Sequence, residues 1–541
     1  MTTMALSRRR LLRLGGGGLG AVLGAPLMAG CGLRQAAIGG RFLPATRRPS
    51  RLLVVDTAGM SPEDVTLLTS LQGLVNRSGR GPSLYLVGRV EDTRWLQTAL
   101  AHIPQQQQLG ATALAGLLRQ FAKSFHGAVV YDPSQLSREN HLPYTKNVAV
   151  TYAGLHDLLP ATAGQAASLH LPVQLDLTGR FSDEDAAYSW ALQNLWPHCA
   201  HGFVVSKAPR IPGFIYDFAV ATRAFCFTFN PFRPTQRAMS VQLYKSMHPN
   251  GLLLGWWSNS GSVKYEWASV GITSPHGVAV VAATLFSNAS VWCGVPAPAA
   301  PKPQLDAKAE ARRLLAAGKR SFMALQVTDG DNAAADQVTI LDRWLEPSRG
   351  QVPISWSLDP VLADLAPAMV AHYRATATAN DGFSTGPSGV GYMYADQYPA
   401  SELPAYVART ARAMRATGIT IPWVWPNPSG PKILSDAVLQ EYVTQIQPPG
   451  MVLGSGAARG RQPMIQWVGN TPCIWASHPA QVTPPPSSGG YGFGVHLATL
   501  WKTTTAQIVH MGRQLHSSGT TVVLPEVLFE LMRLTRQGTS G

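Results

Sequence analysis

From Leu52 onward, short apolar runs alternate with stretches whose apolar residues recur at helical spacing. Leu52 to Asp56, Leu84 to Val87, Ala128 to Tyr131 and Val148 to Thr151 read as strands. Ser61-Pro62-Glu63-Asp64 reads as a helix start with proline in the first turn, and Val65, Leu67, Leu68, Leu71, Leu74 and Val75 give that helix a broad apolar face. The alternation predicts an α/β layer with a largely parallel sheet. No glycine-rich phosphate loop follows the first strand, so a nucleotide site has no support.

Between about 180 and 295 the pattern is less regular and crowded with Trp190, Trp196, Trp256, Trp257, Trp267 and Trp292. Leu252 to Leu254 reads as a buried strand running into Trp256-Trp257, with Glu266 shortly after. A Pro/Ala-rich stretch at 296–303 is the clearest boundary. Beyond it, strand candidates recur at 322–327, 353–357, 389–392, 420–424, 450–453, 463–468, 492–496 and 520–524. Helical stretches such as Asn332 to Leu345 and Ala363 to Ala377 separate most of them. This repetition predicts a (β/α) barrel, seven-stranded or incomplete, preceded by α/β amino-terminal domains.

At 541 residues the chain exceeds one ordinary core, and 14% charged against 45% hydrophobic residues suits compact domains. The formal charge of +14 is concentrated at the start: nine arginines and no acidic residue lie in positions 1–51, leaving +5 for the rest. That excludes a nucleic-acid partner as the reason for the basic balance and points to targeting. Ser7-Arg8-Arg9-Arg10-Leu11-Leu12 has the form of a twin-arginine signal, and the glycine-rich apolar stretch after it is too short for a membrane span. Leu27-Met28-Ala29-Gly30-Cys31 resembles a bacterial lipobox, which would acylate Cys31 and hold the protein at the membrane through a lipid anchor; plain secretion is the competing reading. Cys199, Cys226, Cys293 and Cys473 lack the spacing of a thiolate metal site and read as mostly buried free thiols. The expected organisation is a signal peptide at 1–30, a tether at 31–51, an α/β domain at 52–180, a mixed α/β region at 181–295, a linker at 296–320 and the barrel at 321–541.

The strand candidate at 322–327 runs into Asp329-Gly330-Asp331-Asn332. Two carboxylates and an amide at a strand's carboxyl end, with a glycine for a sharp turn, stand where α/β enzymes place their chemistry. The same residues are ordinary turn formers, and Asp331 or Asn332 could simply cap the next helix. Other predicted strand ends supply Trp356 and Asp359, Tyr392 and Tyr394, Trp423, Trp425 and Asn427. Flat rings stack on sugar faces, while carboxylates bind hydroxyls and move protons.

Gly389-Val390-Gly391-Tyr392-Met393-Tyr394 resembles the motif that names the GxGYxYP family, a group expected to hydrolyse glycosides. Ala395 stands where that motif expects proline, and Pro399 follows four residues on. Val54-Val55-Asp56 through Ser70-Leu71-Gln72-Gly73-Leu74-Val75-Asn76-Arg77, the DGDN segment, and Trp356-Ser357-Leu358-Asp359-Pro360 extend the resemblance from about residue 52 to the end. It implies hydrolysis of an extracellular carbohydrate by paired carboxyl groups, without a cofactor. Asp329 is the first catalytic candidate, Asp331 its partner or a cation ligand, and Glu266 and Asp396 are reserve proton donors. Asn332, Trp356, Tyr392, Tyr394, Trp423, Trp425 and Asn427 are the expected substrate-binding set. Carbohydrate deacetylases also use an Asp pair, but add two histidines along one helix to hold a metal. Here His372, His496, His510 and His516 are scattered, so that reading comes second. A non-catalytic carbohydrate-binding surface lipoprotein is the third. No protein partner is implied.

Overall fold

The computed structural model describes residues 40–538 except 80, 139–140, 257–261, 299–304, 430–432, 455–464, 479–480, 486 and 489. The export signal, Cys31, the tether as far as residue 39 and Trp257 lie outside the described residues. The remainder of the expected tether packs on the body: Phe42 and Leu43 are buried, and their backbone N–H groups donate to Asp364 Oδ2 at 2.6 and 3.3 Å.

The fold is mixed α/β, built on four sheets that are mainly parallel. In the first, Leu52–Asp56 lies between Ser83–Val87 and Gln105–Leu109. In the second, Ala128–Val130 lies between Leu159–Ala161 and Val173–Asp176. The third runs in the order Val278–Val281, Gly251–Gly255, Phe203–Ser206, Cys226–Phe227. Helix Pro62–Ser78 starts as its sequence predicts, with Ser61 accepting from Asp64 N at 3.1 Å. Its polar residues are buried couplers: Gln72 Nε2 donates to Asn288 Oδ1 at 2.7 Å and Asn76 Nδ2 to Ser290 Oγ at 2.8 Å, joining the first and third regions. Residues 148–151 are not a strand but part of helix Thr145–His156. A short apolar run fits a buried helix as well as a strand, and here nearly every face of the helix is covered.

The fourth sheet has ten strands and curls into a half-barrel. Its members are β1 Ser321–Val327, β2 Ile354–Ser357, β3 Asp381–Pro387, β4 Ile421–Val424, β5 Met451–Leu453, β6 Ile465–Val468, β7 Thr471–Trp475, β8 Ser487–Ser488, β9 Tyr491–Ala498 and β10 Thr521–Val522. The order is β6-β7-β5-β4-β3-β2-β1-β9-β8, with β10 beside β1; β6 and β8 are antiparallel and the others parallel. Beyond the end of β7, Ser477 exchanges backbone hydrogen bonds with Val495 and Leu497 of β9, both 2.8 Å. Inside the curl, Phe322, Ile421, Trp423, Val452, Ile474 and Val495 pack on helix Pro525–Gly538 through Leu528, Phe529 and Met532.

Several boundaries differ from the pattern. The third strand is 381–387, and residues 389–392 form the loop beyond it. The helix expected over 332–345 breaks at Val338 into Ala333–Gln337 and Thr339–Trp344, and the one over 363–377 breaks ahead of Pro367. The expected linker contains helix Ala307–Ala316, which packs against helix Pro525–Gly538.

Candidate active site

A cleft of about 870 Å³ opens between the carboxyl edges of the third sheet and the curled sheet. In the third sheet the chain leaves Phe203–Ser206 toward one side and Gly251–Gly255 toward the other. Such a reversal of strand order leaves a crevice at the strand ends, where α/β sheets bind ligands. Ala208 and Arg210 from one end and Trp256 from the other line the cleft.

Two loops of the curled sheet clasp this edge. Tyr392 N donates to Val280 O at 2.6 Å and Val280 N returns a bond to Tyr392 O at 2.9 Å. Ala282 N donates to Asp331 O at 2.9 Å. Gly391 has φ +75°, and a Cβ there would lie 2.7 Å from Val280 O. The DGDN loop meets the end of β3 just as closely, since a Cβ on Gly330 would stand 2.8 Å from Gly386 N. The glycines of both motifs therefore permit backbone contact, which no larger residue allows. Asp359 pins the clasp from beneath, accepting from Val361 N at 2.8 Å and Gly391 N at 3.3 Å; burial raises its pKa to about 8.

Asp329, Asp331, Glu266 and Asn332 all line the cleft. Asp329 does not continue the strand; its φ of +72° turns it out of β1, so strand alternation is not what aims its carboxylate. Thr328 Oγ1 donates to Asp329 Oδ2, and Trp501 Nε1 donates to Oδ1 at 2.8 Å. Burial raises the Asp329 pKa, and these two donors oppose the rise. Asp331 is held well above the carboxylate range by burial and then by the Asp329 and Glu266 charges. Glu266, on helix Val263–Thr273, is pushed up to about 7 by burial, with a smaller push from Asp329. The Tyr392 hydroxyl offsets part of that rise, yet it completes no hydrogen bond of good geometry. Asn332 takes the cap role: its side chain accepts from Ala335 N at 3.0 Å.

Tyr392, Trp423 and Trp425 cluster at the base of the cleft, with Trp425 edge-on to Tyr392 at 5.5 Å and to Trp423 at 5.3 Å; Tyr392 and Trp423 are fully buried, and Trp425 is the one of the three that is partly exposed. The other expected residues lie elsewhere. Trp356 points away from the face of Ser355 and Ser357, packs on Trp344 at 5.4 Å and donates to Asp381 Oδ1 at 2.8 Å. Tyr394 is fully buried, its ring edge-on to Tyr392 at 5.6 Å. Asp396 accepts from Asn427 N at 2.8 Å, and neither residue lines the cleft.

Trp501, His478, Trp267, Thr328, Arg89 and Arg210 line the cleft without having been foreseen. Trp501 follows β9, whose end lies at Ala498 rather than 496; the strand-end argument applied there reaches it. His478 follows β7, which the pattern missed, and its Nε2 lies 2.5 Å from Thr499 Oγ1. Among the described residues, no three His, Cys, Asp or Glu side chains converge to hold a metal ion.

These features define an α/β protein with an acidic, aromatic-walled cleft at facing strand ends. The chain belongs to the GxGYxYP family. The family's profiles for its first, second and third amino-terminal domains match residues 51–123, 125–199 and 201–294, and the one described as "GxGYxYP putative glycoside hydrolase C-terminal domain" matches 319–484. No curated protein matches. The crystal structure of a "putative hydrolase" from Bacteroides thetaiotaomicron superposes with TM-score 0.75 at 19% identity, covering 91% of this chain and 96% of that one, so the fold is shared. A CE4 family pseudoenzyme mutant with restored activity aligns at TM-score 0.25 and 14% identity over 39% and 68% of the two chains, too weakly to bear on fold or chemistry.

Proposed function

We propose that the cleft hydrolyses glycosidic bonds in an extracellular carbohydrate. The observation that carries this reading is that Glu266 and Asp329 share one aromatic-lined cleft but have different environments. Glu266, with a pKa of about 7, keeps a proton near neutrality and gives it to the glycosidic oxygen as the C–O bond breaks. Asp329, whose charged form accepts from Thr328 and Trp501, faces the developing positive charge at the anomeric carbon, as nucleophile or as base toward water. One water is consumed, and both carboxyl groups regain their starting protonation. Asp331 stays protonated and supplies a hydrogen-bond donor to the substrate. The half-buried Trp425 and the exposed Trp267 and Trp501 are the stacking surface.

The same reading takes the curled sheet as a seven-stranded β/α barrel of β1, β2, β3, β4, β5, β7 and β9, a closure supported by the Ser477 hydrogen bonds to β9. It takes residues 52–180 and 181–295 as the amino-terminal domains, and 1–30 as a twin-arginine signal followed by a lipidated Cys31, supported by the sequence of that segment. The test is release of reducing sugar from a polysaccharide panel by wild type and by Glu266→Gln and Asp329→Asn. Release by wild type and loss in both variants supports the proposal; acetate release without sugar release contradicts it.

A further inference from the structure

Alongside its three acids the cleft has two guanidinium groups. Arg89 reaches it from the first region, at the start of helix Val90–Gln97, and Arg210 from the loop after Phe203–Ser206. Arg89 is partly committed: its Nη2 donates to Ser287 Oγ and Gln337 Oε1, both at 2.9 Å, and lies 3.7 Å from Asp92. Its Nε is buried without a partner. Arg210 is exposed and makes no ion pair or hydrogen bond among the described residues. Neither arginine pairs with Glu266, Asp329 or Asp331, although all five residues line one cleft. The cleft thus separates its charges, and an uncommitted guanidinium fork fits a planar oxyanion in two parallel hydrogen bonds.

We propose that Arg210, with Arg89 lining the same cleft, recognises an acidic group on the saccharide, a uronate carboxylate or a sulfate ester, so that the substrate is a charged glycan. This rests on the glycoside reading above. A neutral chain would satisfy the carboxyl groups and the aromatic surface but leave Arg210 facing water. A solvated surface arginine is the competing explanation for Arg210 alone, and its place at the strand-order reversal, where ligands bind, speaks against it.

The test is calorimetric titration of the full chain carrying Asp329→Asn, which holds substrate without turnover, with three hexasaccharides: an oligogalacturonide, a sulfated chondroitin fragment and a neutral cello-oligosaccharide. One acidic hexasaccharide is expected to bind about tenfold tighter than the neutral one, the scale of a charge-assisted pair. Which acidic ligand wins distinguishes carboxylate from sulfate. Adding Arg210→Gln should remove most of that preference, and Arg210→Lys, which keeps the charge but loses the fork, should retain part of it. Neutral binding as tight as acidic, or an equal loss for all three ligands in Arg210→Gln, overturns this inference and leaves the glycoside reading standing. Failure of all three to bind, with no hydrolysis by wild type, overturns both.

Discussion

The Trp501 indole N–H donates to Asp329 Oδ1 at 2.8 Å, joining the adjacent ends of β9 and β1. The contact is held in register from below: Thr328 N donates to Ala498 O at 3.1 Å and Leu500 N to Thr328 Oγ1 at 3.2 Å. One exposed tryptophan therefore offers a ring to the cleft while its edge stabilises the charged form of the carboxylate. Trp501→Phe keeps a ring and removes the donor. The Asp329 pKa should rise, moving the acid limb of the kcat/KM profile upward by about half a unit to one unit, the worth of one charge-assisted hydrogen bond at a partly exposed site. An unmoved acid limb would show that the bond does not tune Asp329.

Glu266 sets the other limb. With its pKa near 7, a proton donor is lost as pH rises through that value, so kcat/KM should fall on the alkaline side of about pH 7. Stability carries the same sign. A carboxyl whose folded pKa lies above its ordinary 4.5 binds more protons folded than unfolded between about pH 4.5 and 7, so stability declines as pH rises through that window. Asp329 and Asp331, raised in the same direction, steepen the decline. Thermal melts of wild type should fall across the window more steeply than those of Glu266→Gln; parallel curves would contradict the assignment.

Gly391 tests the clasp. Alanine there must hold φ +75° and place a Cβ 2.7 Å from Val280 O, so Gly391→Ala should cost about 1–3 kcal/mol in chemical denaturation. A melting temperature equal to that of wild type would show that the two loops are not pressed together.

The amino terminus is tested by fractionation. Replacing Arg8 and Arg9 with lysine should leave the protein in the cytoplasm, and Cys31→Ala should free it from the membrane fraction. Unchanged distribution in both would remove the twin-arginine and lipoprotein readings.

Much of the site was legible because strand ends are marked locally. A run of apolar residues entering Asp-Gly-Asp-Asn announces both strand and turn, and Asp329 and Asp331 do reach the cleft. What local pattern could not convey is which face a residue takes and what lies across the gap. Trp356 sits one position out of phase on its strand and joins the outer packing, whereas Trp423 alternates inward. Glu266 stands two residues after Lys264 with no local sign of burial in the sequence; it is desolvated where the third sheet docks against the curled sheet. Strand β7 was hidden because Pro472 and Cys473 weaken its pattern, and His478 was hidden with it.

The division of roles between Glu266 and Asp329 is tested most directly by the leaving group. A dinitrophenyl glycoside departs without a proton, whereas an alkyl or sugar leaving group needs one. Initial rates on both substrate types, compared among wild type, Glu266→Gln and Asp329→Asn, separate donor from second carboxylate. The expected result is that Glu266→Gln keeps most of its activity on the aryl substrate and loses at least about a hundredfold on the unactivated one, while Asp329→Asn loses both. Equal losses on the two substrates in Glu266→Gln, or full activity in Asp329→Asn, would contradict the account.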